Sequence, residues 1–158
     1  MLKYVDTAVT FAEFPNEVSL CINISNCPCC CDGCHSPYLS KDIGEMLSLE
    51  RLQELIESNK GITLVGFMGG DSDPKEINKL AKWVRENYPE LHIGWYSGKQ
   101  LLADNDIDID NFDFIKLGPY MKQFGPLNNP NTNQKFYKID RKTHIMTWCT
   151  NIFWKEAE

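Results

Sequence analysis

The sequence predicts an α/β fold: an open partial (β/α) barrel with a mainly parallel sheet and a C-terminal β-hairpin. Three observations predict it. Strand-like apolar runs alternate with helix-like stripes, the order that builds right-handed βαβ units on a parallel sheet. The clear repeats number about three or four, too few for a full eight-fold barrel. The last two strand-like runs, 135–140 and 144–149, flank Arg141-Lys142 as a hairpin would. A flavodoxin-like sheet is the alternative architecture. In either one, ligands belong at the carboxyl ends of the strands. The 158 residues contain no internal repeat or linker, so one domain over 1–158 is expected.

The elements follow in order. Leu2 to Val5 reads as a short apolar strand, and its segment ends at the turn Pro15-Asn16. Residues 18–25 alternate strictly: Val18, Leu20, Ile22 and Ile24 are apolar, while Ser19, Cys21, Asn23 and Ser25 are not. Period two means a strand with two unlike faces. The apolar face should meet helices. The other face, with Asn23 and Ser25, either looks into the concave side of the sheet or lies half exposed. Ser48 caps a helix running to about Ser58, with Leu49, Leu52, Leu55 and Ile56 on one side. Gly61 breaks the chain, and Ile62 to Phe67 reads as a buried strand before the loop Met68-Gly69-Gly70-Asp71.

Asp73, Pro74 and Glu76 mark the next helix start as N-cap, first helical residue and capping-box partner. The stripe Ile77, Leu80, Ala81, Val84 continues it to Tyr88-Pro89. Leu91 to Tyr96 is a strand, Ser97-Gly98 a turn, and Lys99 to Ala103 a short helix. Phe112 to Leu117 is a further strand, stopped by Gly118-Pro119. A loop rich in Asn, Pro and Gly then leads to the hairpin.

Composition narrows the function classes. Net charge is −6 with no basic stripe, which argues against nucleic acid or an anionic membrane as partner. Proteins and small molecules remain. No apolar run is long enough to span a bilayer and no secretory signal opens the chain, so a cytoplasmic setting is expected. The seven cysteines are an odd number, and five crowd into nine residues. That pattern fits reduced, ligating thiols better than a disulfide framework.

The crowded stretch is Cys27-Pro28-Cys29-Cys30-Cys31-Asp32-Gly33-Cys34-His35. Cys27, Cys31 and Cys34 are spaced C-x3-C-x2-C. Thiolates on one short loop can wrap one face of a compact soft-metal centre. A cubane [4Fe–4S] cluster normally takes four cysteines, so three would leave one iron open to a substrate or cofactor. Cys27, Cys30 and Cys34 give an alternative C-x2-C-x3-C register, and Cys29 could supply a fourth thiolate. A zinc-binding adaptor is the rival from another class. It would want four ligands, and Cys21 and Cys149 form no second pair.

C-x3-C-x2-C is similar to the signature of the radical S-adenosylmethionine superfamily. The phrasing Asn23-Ile24-Ser25-Asn26-Cys27-Pro28 and Cys31-Asp32-Gly33-Cys34-His35-Ser36-Pro37 resembles, more narrowly, the activating proteins of anaerobic ribonucleoside-triphosphate reductases, a family of glycyl-radical-enzyme activases. The resemblance implies a [4Fe–4S] cluster on Cys27, Cys31 and Cys34, with S-adenosyl-L-methionine on the open iron. Reductive cleavage would then give methionine and a 5′-deoxyadenosyl radical. Implied partners are the reductase, whose glycine becomes the radical, and a reduced flavodoxin-type electron donor.

Phe67-Met68-Gly69-Gly70-Asp71 stands where the superfamily has Gly-Gly-Glu, so Gly69, Gly70 and Asp71 are expected to hold the cofactor's methionine moiety. Asp71 is one methylene shorter than the usual Glu. Asn23 and Ser25 are expected beside the same cofactor, and His35 as a hydrogen-bond donor to the cluster. Asp113-Phe114-Ile115-Lys116-Leu117-Gly118-Pro119-Tyr120 resembles a later strand end of the family. Lys116 there either meets the cofactor or is a solvated edge charge. Gly125-Pro126-Leu127 and Thr132-Asn133-Gln134 also resemble the activases.

The remaining candidates read as structural. The five aspartates between Asp104 and Asp113 fail the EF-hand pattern and suggest a solvated loop. His92 and His144 have no partner pattern, and the four tryptophans suit packing. The rival within the superfamily is a small-molecule enzyme of the deazapurine-synthase kind. The shortness of the chain, which leaves little for a roomy private pocket, favours the activase.

Overall fold

The computed structural model describes residues 2–27, 39 and 41–154. Among the described residues are one open sheet of eight strands and two α-helices. The strands are β1 (Lys3–Thr10), β2 (Ser19–Ile24), β3 (Glu45–Met46), β4 (Leu64–Met68), β5 (His92–Tyr96), β6 (Phe114–Leu117), β7 (Lys135–Ile139) and β8 (Met146–Trp148). The helices are α1 (Leu49–Glu57) and α2 (Pro74–Asn87). Strand order is β3-β1-β2-β4-β5-β6-β7-β8.

The expected mainly parallel sheet is corrected to a mixed one. Parallel pairing is confined to β2–β4, β4–β5 and β5–β6, while the other four pairings are antiparallel. The reason lies in the connections. A parallel neighbour needs a long crossover, whereas β1–β2, β6–β7 and β7–β8 are joined by loops that simply double back. The C-terminal hairpin is present as β7–β8. The expected helix over Lys99–Ala103 is absent; the β5–β6 crossover carries only a short 3-10 turn, Ile109–Asn111.

Both helices begin as their residues dictate. Ser48 accepts from the Arg51 backbone N–H at the start of α1, and Asp73 accepts from Glu76 N–H at the start of α2. Their apolar stripes cover one face of the sheet. Leu52 and Ile56 of α1 and Ile77, Leu80, Ala81 and Val84 of α2 join Leu20, Ile22, Ile24, Val65, Phe67, Ile93, Trp95 and Ile115 in one core. Each of the buried Leu, Ile, Val and Phe side chains contributes roughly 1.5–3 kcal/mol by leaving water.

The other face is closed differently. The β1–β2 connection folds back across it and seats Phe14, fully buried, against Cys21, Leu64, Phe114 and Phe136. Gly66 and Gly94, paired across β4 and β5, make the room. A Cβ at Gly94 would lie 2.2 Å from the Phe14 ring, and one at Gly66 2.6 Å. On that side of β2, Ser19 and Cys21 are at most 4% exposed, as is Ser25 just past the strand, while Asn23 is half-buried. No helix among the described residues is long and apolar enough to cross a membrane.

Candidate functional site

The carboxyl ends of the parallel strands form one rim. Across the sheet just below it runs a row of register partners, Asn23, Met68, Tyr96, Lys116 and Phe136. The cysteine stretch leaves the rim at one end of this row. Asn26, with φ of 59°, turns the chain out of β2, a conformation asparagine tolerates. Asn26 N–H donates to the Lys41 carbonyl at 2.9 Å, and Cys27 N–H to the Leu39 carbonyl at 2.8 Å. The chain thus departs and returns through a hydrogen-bonded neck. Ser25 belongs to that neck: its hydroxyl donates to the Ile43 carbonyl at 2.5 Å. Asn23 donates its amide to Asp6 at 2.7 Å.

Cys27 is half-buried on the rim. Cys31, Cys34 and His35, with Cys29 and Cys30, lie outside the described residues. Among the described residues, no group of three or more His, Cys, Asp or Glu could hold a metal. The two cysteines elsewhere are poor thiolate donors. Burial first, and then the nearby Glu13, push Cys21 up to about 12. Burial also raises the Cys149 thiol. The 27–34 stretch holds the other five cysteines, and its soft donor set fits an iron–sulfur cluster.

The Gly-Gly loop sits one strand away. Gly69 and Gly70 have φ of 112° and 97°, open to glycine alone at little cost. A Cβ on Gly69 would stand 3.2 Å from the Ile24 carbonyl, on the strand that delivers Cys27. Gly69 itself is tied in: its N–H donates to Tyr96 O, and its carbonyl accepts from the Trp95 indole at 2.7 Å. Asp71 is buried and accepts from Ser97 Oγ at 2.5 Å and Gly98 N–H at 2.8 Å. Its carboxylate thereby fixes the turn after β5 to the loop after β4.

Lys116 is buried rather than solvated, at 7% exposure. Its ammonium donates to the Gly118 carbonyl at 3.1 Å and lies 5.3 Å from the Tyr96 ring centroid. Tyr96 donates its hydroxyl to the Glu13 carbonyl. Burial, then the charges of Glu13 and Cys21, hold that phenol well above its usual value, so it stays a donor.

Tyr96 and Lys116 also line a cavity of about 540 Å³, open on one side. Ala12 and Glu13 line it from the β1–β2 connection, and Pro126, Leu127 and Asn128 from the loop before β7. The expectation that the chain has little room for a pocket is corrected by this space. Sequence reasoning missed its Ala12–Glu13 border, for which no local motif exists. It did single out Gly125-Pro126-Leu127 and Thr132-Asn133-Gln134, which prove to be a stitched loop. Thr132 Oγ1 donates to the Gly125 carbonyl at 3.1 Å, and Asn133 Nδ2 to the Pro119 carbonyl at 3.0 Å.

The residues read as structural are so placed, with one correction. His92 pairs with buried Glu17, and His144 with Asp110. Asp113, expected in a solvated loop, is buried. It accepts from Arg141 Nε and Nη2 at 2.7 and 2.9 Å and from Ile93 N–H at 2.9 Å. Arg85 stands 3.6 Å from the same carboxylate.

A family described as a 4Fe-4S single cluster domain matches residues 17–124, from the lead into β2 to beyond β6. No curated protein and no solved structure matches the chain.

Proposed function

The chain belongs to the 4Fe-4S single cluster domain family, and on that premise we propose that it is a radical S-adenosylmethionine activase acting on a glycine of anaerobic ribonucleoside-triphosphate reductase. One observation carries the reading. The strand that delivers Cys27 touches the Gly-Gly loop so closely that a side chain at Gly69 would crowd the Ile24 carbonyl, 3.2 Å away. Cys27, at the head of the cysteine stretch, and a positive-φ diglycine thus stand at the ends of neighbouring parallel strands.

Cys27, Cys31 and Cys34 hold the [4Fe–4S] cluster. When bound, the cluster supplies the electron, received from a reduced flavodoxin-type donor, that cleaves S-adenosyl-L-methionine to methionine and a 5′-deoxyadenosyl radical. The chain's own residues bind and orient. Gly69 and Gly70 let the backbone approach the methionine moiety. Asp71 fixes the Ser97-Gly98 turn beside it and presents negative charge toward its ammonium. Lys116 and Asn23 hold the polar parts of the cofactor along the row, and Ser25 keeps the cysteine neck closed. His35 donates a hydrogen bond to the cluster.

The test is anaerobic reconstitution with iron and sulfide, followed by reductant, S-adenosyl-L-methionine and reductase deuterated at the target glycine. The expected result is a doublet glycyl-radical signal on the reductase and deuterium in 5′-deoxyadenosine. Deoxyadenosine without deuterium, formed equally well when the reductase is omitted, overturns the reading. The cavity favours a second reading, a small-molecule radical enzyme, and that outcome would support it.

A further inference from the structure

The outer surface of α2 carries a charge opposite to that of the chain. Net charge is −6, and along the sequence no basic stripe stands out. The helix makes a short one. Lys75, Lys79 and Lys82 are spaced i, i+4 and i+7, so they share one side of α2. All three are exposed. They line a shallow groove of about 420 Å³ between α2 and Leu49 at the start of α1, with Trp83 half-buried beside them. Glu86 adds one negative charge to that lining. Lys75 reaches Asp106 at 3.9 Å, while among the described residues Lys79 and Lys82 have no ion-pair partner.

Charge and place together limit what fits there. Three lysines beside an indole suit an acidic protein surface that also brings an apolar side chain. They are too few to neutralise a nucleic-acid backbone. The chain as a whole repels an acidic partner, so a local basic groove decides where one can settle. The upper end of the groove adjoins the rim: α2 begins at Pro74, and the N–H of its cap Asp73 donates to the Gly70 carbonyl at 3.0 Å. Packed core separates the groove from the row of Asn23, Met68, Tyr96 and Lys116, since Ile24, Phe67 and Ile77 are fully buried beneath α2. A substrate that must touch the cofactor gains nothing from this side. An electron needs no such contact and crosses packed protein.

We infer that the Lys75, Lys79 and Lys82 side of α2 is the docking site for the electron donor, a protein with an acidic face. This rests on the activase reading. One electron passes: the donor's reduced flavin is oxidised by one electron, the cluster is reduced by one, and no atom crosses. The donor thus uses the helical face of the sheet and leaves the cavity face free.

The test measures the affinity of the cluster-loaded full chain for an acidic flavodoxin by isothermal titration calorimetry. It also compares 5′-deoxyadenosine formation driven by reduced flavodoxin and by photoreduced 5-deazariboflavin, a small uncharged donor that needs no docking site. Lys79→Glu combined with Lys82→Glu reverses two charges at exposed positions. The pair is expected to weaken flavodoxin binding about tenfold or more and to slow the flavodoxin-driven rate, with the deazariboflavin-driven rate at the wild-type level. Wild-type affinity in the folded variant overturns the assignment, as does an equal loss of rate with both reductants. Should circular dichroism show the variant misfolded, the wild type decides. Its flavodoxin affinity should fall as salt rises, and an affinity indifferent to salt overturns the assignment. So does a wild-type chain that cleaves S-adenosyl-L-methionine with deazariboflavin yet binds no flavodoxin, and there the activase reading survives. A wild-type chain that forms no deoxyadenosine with either reductant overturns the activase reading itself.

Discussion

The two faces of the sheet are covered by opposite means, a large core under the helices and a small one around Phe14. On one face, α1 and α2 lay continuous stripes against β2, β4 and β5. On the other, a single ring, Phe14, fills the space that Gly66 and Gly94 leave, and irregular chain surrounds it. One ring covers only the lower part, and the cavity over Tyr96 and Lys116 is the remainder. The covered face holds the fold, and the incompletely covered one has room for a ligand.

That contrast can be broken or sharpened in order of effect. The largest change is expected at the rim. Cys27→Ala, Cys31→Ala or Cys34→Ala should each abolish the cluster, while Cys21→Ala, in the Phe14-filled face, should keep it. Iron content and electron paramagnetic resonance read this. Full iron in Cys27→Ala would show that the ligands lie elsewhere.

Next is the clamp that ties α2 to the hairpin. Burial alone would raise the Asp113 carboxyl, but hydrogen bonds from Arg141, the charge of Arg85 and the Ile93 N–H hold it below its ordinary value. Asp113→Ala strands Arg141 and the buried Arg85, and should cost roughly 3–5 kcal/mol in denaturant unfolding. The sign with pH follows. A carboxylate depressed in the folded state gives its full stabilisation above the unfolded pKa, ~4. That stabilisation is lost as pH falls through the lower folded value. The gap between wild type and Asp113→Asn should therefore be constant near neutrality and close in acid. A gap that widens in acid would refute the assignment.

Asp71→Ala removes two hydrogen bonds to a charged acceptor, together of the order of 1.5–3 kcal/mol or more. It should also weaken S-adenosyl-L-methionine binding about ten- to a hundredfold, measured by equilibrium dialysis. Unchanged affinity with lowered stability would confine Asp71 to the Ser97-Gly98 turn. Gly94→Ala drives a methyl into the Phe14 ring and should cost about 1–3 kcal/mol. Phe14→Leu in the same chain should recover part of that, a coupling a double-mutant cycle would detect. Independent, additive losses would mean the ring does not depend on the glycine. The smallest effect belongs to the helical face, where Ser48→Ala removes one N-cap at about 1 kcal/mol.

The same contrast explains what was legible in the sequence. Ser48, Asp73 and Pro74 announce helix starts because capping is local, and both α-helices stand where those residues put them. The alternation at 18–25 revealed β2 for the same reason. The two-residue β3 and the extension of β1 to Thr10 have no periodic signature; they exist because β2 and the returning neck offer partners. Phe14 was invisible as a core residue, since its partners Gly66 and Gly94 lie 52 and 80 positions away. Lys116 and Asp113 were open to solvated readings because burial of a charge depends on cover supplied from distant chain. The turn at Gly69-Gly70, with its positive φ, was legible from chemistry, while the cavity over Tyr96 and Lys116 was not, since its lining comes together only in three dimensions.

The neck at Asn26–Cys27 and Leu39–Lys41 has a consequence for how such proteins diverge. Because the fold already holds Asn26–Cys27 beside Leu39–Lys41, the entropy of bringing those two points together is met by the frame and not by what lies between them. The stretch between the two ends is a cassette mounted on a finished frame. Its length and residues can drift, or be exchanged for another ligand set, with little demand on the register of β1, β2 and β4. The frame can therefore outlast any particular chemistry it carries.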